Sequence, residues 1–131
     1  ITIATTGNSV SFGDLPIDFH AGNASSNGIR GFCCGGSVPS PFSATNIFTV
    51  TMATEGEASD YDDLVTSPSY LPQLGTVANS NKAIVGGGVA NANVIQSFSM
   101  ATTGQSADFG DLTIARYGPG GVSDSHGGLT N

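Results

Sequence analysis

Positive charge is what this 131-residue chain has least of: Arg30, Lys82 and Arg116 face ten Asp and Glu, for a formal net charge of −7. Three cations cannot build a patch that neutralises phosphates, which argues against nucleic-acid binding, and the same shortage argues against attraction to an anionic membrane surface. No apolar run approaches the roughly 18 residues that span a bilayer, and no segment reads as a secretory leader. Trp is absent. Two His, His20 and His126, and two vicinal Cys, Cys33 and Cys34, are poor material for a zinc site or for a copper centre of several His and Tyr ligands. Neighbouring residues of a strand point to opposite faces, so a bridge between Cys33 and Cys34 is disfavoured. Both read as small hydrophobes in a strand, roughly aligned with Ile84 and Val85.

Catalytic sets are missing too. Ser125, His126 and an Asp can be written as a triad, yet no strained Gly-x-Ser-x-Gly elbow supports it. Asp108-Phe109-Gly110 matches a kinase tripeptide without the phosphate loop, the Lys or the catalytic loop that give it meaning. Asn23-Ala24-Ser25 fits the glycosylation sequon, a common triplet in chains rich in Asn and Ser. We expect no enzyme and no cofactor.

What is present is a repeat. Ala4-Thr5-Thr6-Gly7 returns as Ala53-Thr54-Glu55-Gly56 and Ala101-Thr102-Thr103-Gly104, and Phe12-Gly13-Asp14-Leu15 returns as Tyr61-Asp62-Asp63-Leu64 and Phe109-Gly110-Asp111-Leu112. Both landmarks step by 49 and then 48 residues, a period that belongs to solenoids, propellers or arrays. With 19 Gly, 38% hydrophobic residues and only 10% charged ones, the chain suits short strands joined by tight turns, and no stretch shows helical periodicity. We read residues 1–131 as one all-β domain of about three repeats: 1–46, 47–93 and 94–131.

The clearest copy starts at Lys82. Ala83-Ile84-Val85, stopped by Gly86-Gly87-Gly88, reads as a buried inner strand ending where backbones come close. Residues 94–100 read as a second strand with Val94, Phe98 and Met100 inward, and residues 107–112 as a third with Phe109 and Leu112 as core anchors. Gly104 supplies the turn between them, and Arg116 with Tyr117-Gly118-Pro119-Gly120-Gly121 closes the unit. Three to four short strands per unit match one blade of a β-propeller.

Ile84-Val85-Gly86-Gly87-Gly88, a loop carrying Asn93, a Thr-Gly turn, an aromatic followed by Leu, and Arg116 together resemble a kelch repeat. The blocks Ile3-Ala4-Thr5-Thr6-Gly7-Asn8 with Phe12-Gly13-Asp14-Leu15, and Phe109-Gly110-Asp111-Leu112-Thr113-Ile114-Ala115-Arg116-Tyr117, resemble the kelch-like repeats of long bacteriophage virion structural proteins. This resemblance covers essentially the whole chain. It implies propeller blades in a tail fibre, appendage or other virion surface structure, hence a virion or extracellular location, with other virion proteins or copies of the same chain as partners. Phe12, Tyr61 and Phe109 stand where kelch blades carry Trp. Repeat 2 departs further, with Asp62 for Gly and no Arg matching Arg116. A propeller needs about four to eight blades, so the ring is incomplete unless more chain or further copies extend it. Ile1 falls inside a repeat, which fits processing or a piece of something longer.

Three sets of candidate residues follow. Gly7, Gly56 and Gly104, with Phe12, Asp14, Leu15, Tyr61, Asp63, Leu64, Phe109, Asp111 and Leu112, recur with the repeat, so a structural role is expected, with each Asp capping backbone N–H groups at a turn. Glu55, Glu57, Asp60, Asp62 and Asp63 are the one acidic cluster that could hold Ca²⁺, but the Asp/Asn-x-Asp/Asn-x-Gly order of a calcium loop is missing and a solvated acidic turn is the simpler reading. Tyr117, Asp124 and His126 form the best loop for stacking on and hydrogen-bonding to a host glycan. The expected function is a non-enzymatic structural or adhesive module; the alternative is a carbohydrate-binding propeller.

Overall fold

The computed structural model describes residues 7–18, 20–37, 45–65, 73–88 and 93–123. Among them are eight strands and no helix. β1 (Asn23–Ser26), β2 (Arg30–Cys34), β3 (Asn46–Thr51) and β4 (Ser59–Asp63) pair antiparallel, in chain order, as one sheet. β5 (Gly75–Ala78), β6 (Lys82–Gly86), β7 (Val94–Ser99) and β8 (Ala107–Asp111) repeat the arrangement as a second. β3 starts at Asn46, the last residue of the first sequence unit, and β7 at Val94, the first residue of the third. The middle sequence unit therefore takes the last two strands of the first sheet and the first two of the second.

Local chemistry makes the two sheets alike. In the β1–β2 turn the Asn27 side-chain oxygen accepts from the N–H groups of Ile29 and Arg30 at 3.1 and 2.9 Å. In the β5–β6 turn Asn79 accepts from Asn81 and Lys82, both at 2.8 Å. A short polar side chain that supplies a turn's missing acceptor fixes the hairpin from within. Both outer strands carry a bulge at the same place. Ile47 and Phe48 pair with Asp62 and Asp60, leaving Tyr61 as the extra residue, and Ile95 and Gln96 pair with Gly110 and Asp108, leaving Phe109. A bulge re-aims a side chain, and here it re-aims the aromatic of the repeated tetrapeptide.

One hydrophobic core lies between the sheets. Phe32, Cys34 and Ile47 of the first sheet meet Ala83, Val85 and Phe98 of the second, with Tyr61, Leu64, Leu74 and Met100 completing the cluster. The Phe32 ring stands edge-on to Tyr61 at 5.0 Å between centroids and tilts against Phe98 at 5.9 Å. Each such side chain stabilises the fold by about 1.5 to 3 kcal/mol through burial. Equivalent register positions make Cys33 and Cys34 the counterparts of Val85 and Gly86, one residue beyond the sequence alignment. The reason is an uneven step: Arg30 to Lys82 is 52 residues, whereas Ser59 to Ala107 is 48. Cys34 lies wholly buried in the core and Cys33 is half-buried on the opposite face, both as free thiols. Burial pushes the Cys34 thiol up to about 12, with neighbouring Cys33 adding to the shift.

Candidate functional site

The three copies of the repeated tetrapeptide occupy one kind of position in three different settings. Residues 12–14 run alongside residues 56–58: the Gly56 N–H donates to the Phe12 carbonyl and the Ala58 N–H to the Asp14 carbonyl, both at 2.9 Å. The Asp14 N–H in turn donates to the Glu57 carboxylate at 3.1 Å. This seat of residues 12–15 is loosely filled, since Phe12, Gly13, Asp14 and Leu15 line a small open hollow together with Val50, Gly56 and Ala58, and Phe12 and Leu15 stay 42% and 38% exposed. One period later the Ser106 N–H donates to the Asp63 carbonyl at 3.1 Å. Asp14 to Asp63 is 49 residues and Ala58 to Ser106 is 48, so the sequence period is also a period of contacts.

The middle copy is the most enclosed. Its Tyr61 hydroxyl crosses to the second sheet and donates to the Ser99 carbonyl at 3.1 Å, while the Arg30 guanidinium lies 5.8 Å from the ring centroid. Burial pushes the Tyr61 phenol above its ordinary range; Arg30 opposes the shift and Asp62 adds to it. Beyond Leu64, the Val65 N–H donates to both Gln96 Oε1 and Ser106 Oγ at 2.8 Å, and Ser106 donates to Gln96 at 2.8 Å. The third copy has no sheet beyond it among the described residues. Phe109, expected as a core anchor, is instead 56% exposed, covered on one side by its own sheet and by Lys82 at 5.8 Å.

The repeated Asp residues hold the joint through their backbone carbonyls at positions 14 and 63. The side chain of Asp63 accepts from Thr45 Oγ1 at 3.3 Å, and the carboxylates that accept from N–H groups inside these tetrapeptides belong to Glu57, serving Asp14, to Asp62, serving Asp63, and to the preceding Asp108, serving Gly110. Gly7 and Gly104 lie in exposed extended segments, and Leu112, half-buried, donates its N–H to the Asn93 carbonyl. The acidic cluster does not converge. Glu55, Glu57 and Asp60 are exposed, Glu57 serves Asp14, and no three His, Cys, Asp or Glu come together as a metal-holding group among the described residues.

Tyr117 is 75% exposed, and Asp124 and His126 lie outside the described residues. The ring sits on the rim of an open hollow of about 560 Å³ whose other walls include Asn23, Gln73 and Pro119. Sequence reasoning did not find the entry points around it. Ala21, Gln73 and Gly118 take φ of 56°, 62° and 62°, a left-handed conformation unusual for the first two. The Gln73 N–H donates to the Ala21 carbonyl at 3.2 Å and the Gly118 N–H to the Gln73 carbonyl at 2.8 Å. Residues 21, 73 and 118 are thus linked in series, the first two just ahead of β1 and β5, and only Gly118 carried a sequence signal. No protein-family model matches this chain, and a search of curated proteins returned no match. The joint between the sheets therefore carries the functional argument.

Proposed function

We propose that this chain is a non-enzymatic structural module: two kelch-like propeller blades, with the outer segment of a preceding one, in a virion appendage or surface fibre. The observation that carries the reading is the recurrence of the joint, Asp14 to Ala58 and then Asp63 to Ser106. A joint that repeats with the sequence lets units be added without new chemistry, which is how quasi-one-dimensional repeat proteins extend. The all-β fold, the shortage of charge and the kelch-like motifs support the same reading. The virion setting rests on the resemblance alone. Mass spectrometry of purified particles tests it: peptides of this chain in stoichiometric amount support the module, and particles free of it, or turnover of a substrate at enzymatic rates by the purified protein, overturn it.

A second reading has one observation of its own. The hollow beside Tyr117 offers an exposed aromatic face with Asn23 and Gln73 near it, the combination that stacks on a sugar ring and hydrogen-bonds its hydroxyls. On a glycan array, saturable binding lost in Tyr117→Ala supports carbohydrate recognition at the virion or cell surface. A blank array leaves scaffolding as the function.

A further inference from the structure

The chain carries the tetrapeptide Phe-Gly-Asp-Leu twice and seats it once. Phe12-Gly13-Asp14-Leu15 lies along residues 56–58, which lead into β4 of the first sheet, with Phe12 42% exposed. Phe109-Gly110-Asp111-Leu112, on the outer strand of the second sheet, leaves Phe109 56% exposed with no further sheet against it among the described residues. The likeness extends outward, since Ala-Thr-Thr-Gly precedes both and Ser9 matches Ser106. The seat is selective at one atom. A Cβ on Gly13 would stand 2.0 Å from the Gly56 carbonyl oxygen, and Gly13 itself has φ of 151°, so only glycine fits. Gly110 meets that requirement and holds nearly the same backbone, φ 146°, while the middle copy has Asp62 there. Of the two other copies, only residues 109–112 match the seat.

The surfaces behind the two motifs match as well. Inside the chain, Phe32, Cys34 and Ile47 pack on the face of the second sheet that bears Val85 and Phe98. On the far side of the second sheet, Ile84, Gly86 and Ile95 hold the places of Phe32, Cys34 and Ile47, both isoleucines are half-buried, and residues 119–121 of the same chain share the small hollow over them. On the near side of the first sheet, Cys33 and Val50 hold the places of Val85 and Phe98, and Val50 is itself a wall of the seat. With residues 119–121 moved aside, a second copy set against the first would therefore rebuild the joint that the chain already makes between its own sheets.

We propose that copies of this chain associate head to tail, residues 109–112 of one copy taking, on the next, the seat that residues 12–15 hold in their own chain. The proposal rests on the structural-module reading and names the module's partner as a second copy. Such contacts are heterologous, so they propagate into a fibre or close into a ring. The seat is filled in cis at an effective concentration on the order of millimolar, so exchange needs concentrated chain or a weakened cis segment.

Sedimentation equilibrium of the full chain, up to about 1 mM, with a labelled peptide of residues 101–115 as a second probe, tests this. The expected results are a mass that climbs above 13.1 kDa with concentration, a climb at lower concentration in Gly13→Ala, and a peptide that binds the chain and suppresses the climb. The same peptide carrying Gly110→Ala binds at least about tenfold more weakly. Because the peptide arm uses the folded natural chain, it holds even where a full-length variant loses stability. A mass of 13.1 kDa at every concentration overturns head-to-tail association, as does Gly13→Ala that associates no more readily, or a peptide whose binding ignores Gly110→Ala. Any of these leaves the module reading to stand or fall on the particle and turnover measurements.

Discussion

Tyr61 and Phe109 sit at the same bulge of the same outer strand in two sheets of the same topology, yet Tyr61 is 7% exposed and Phe109 56%. Their own sheets do not explain the difference. Tyr61 has Phe32 beneath it and the second sheet's Ser99 across from it, whereas among the described residues Phe109 has its own sheet, Lys82 included, and no second sheet against it. Phe12, which has only the following sheet, is intermediate at 42%. The lesson is that the energetic worth of a residue in this repeat is set by whether a neighbouring unit is present. Conformation is inherited from the period; burial is conferred by the stack.

The sharpest way to break that comparison is to truncate both aromatics. Tyr61→Ala should cost about 3 to 5 kcal/mol of unfolding free energy, and Phe109→Ala under about 1 kcal/mol, because only the first empties a packed site. Denaturant titration reads both, and equal losses would show that the position matters regardless of its neighbours. Next comes alkaline titration, which contrasts Cys34 in the joint with Cys33 on the opposite face. The folded-state value of Cys34 is raised from an ordinary 9.0 to about 12, so its contribution is complete below pH 9 and is lost as pH rises toward 12. A shift of that size corresponds to as much as about 4 kcal/mol. Raised Tyr61 titrates in the same direction, so the Cys34 share is read as the alkaline slope removed by Cys34→Ala.

Smaller effects sharpen the contrast. Tyr61→Phe removes the hydrogen bond to Ser99 and should cost about 1 kcal/mol, most of it as the unpaired carbonyl left behind. Adding the hydroxyl in Phe109→Tyr should leave stability within about 0.5 kcal/mol, since the ring is exposed. The turn caps provide the opposite case. Asn27→Ala and Asn79→Ala each remove an acceptor for two N–H groups inside one hairpin, and both should cost about 1 kcal/mol. A large difference between them in thermal melts would show that the two sheets are not equivalent even locally.

Much of the fold could be read in the chain because its signals recur. Ala83-Ile84-Val85, residues 94–100 and residues 107–112 were expected as strands, and β6, β7 and β8 occupy them. β1 and β5 were invisible, since Asn-Ala-Ser-Ser and Gly-Thr-Val-Ala show no apolar alternation and owe their conformation to the Asn27 and Asn79 hairpins and to pairing along β2 and β6. The one-residue slip at Cys33 and Cys34 arose because loops absorb four residues between the steps of the inner and outer strands. For the site, Tyr61 and Leu64 were legible as repeat-structural residues, and both are buried in the core. Exposure of Phe109 was not, because a periodic sequence marks a position and carries no information about which copies have neighbours. Nor did the αL entries at Ala21 and Gln73 announce themselves, as neither residue type prefers that conformation.

The central claim is that one joint is built twice, at residues 12–15 on 56–58 and at residues 61–64 on 106. Native-state hydrogen exchange of the Ala58 and Ser106 amides tests it directly, since each donates to the carbonyl of a repeated Asp. The account expects both amides to be protected, Ser106 more strongly because its joint also carries the buried core, and Ala58 to lose protection in Gly13→Ala while Ser106 keeps it. Free exchange at Ala58 in the natural chain would contradict the account: the period in the sequence would then not be a period of contacts.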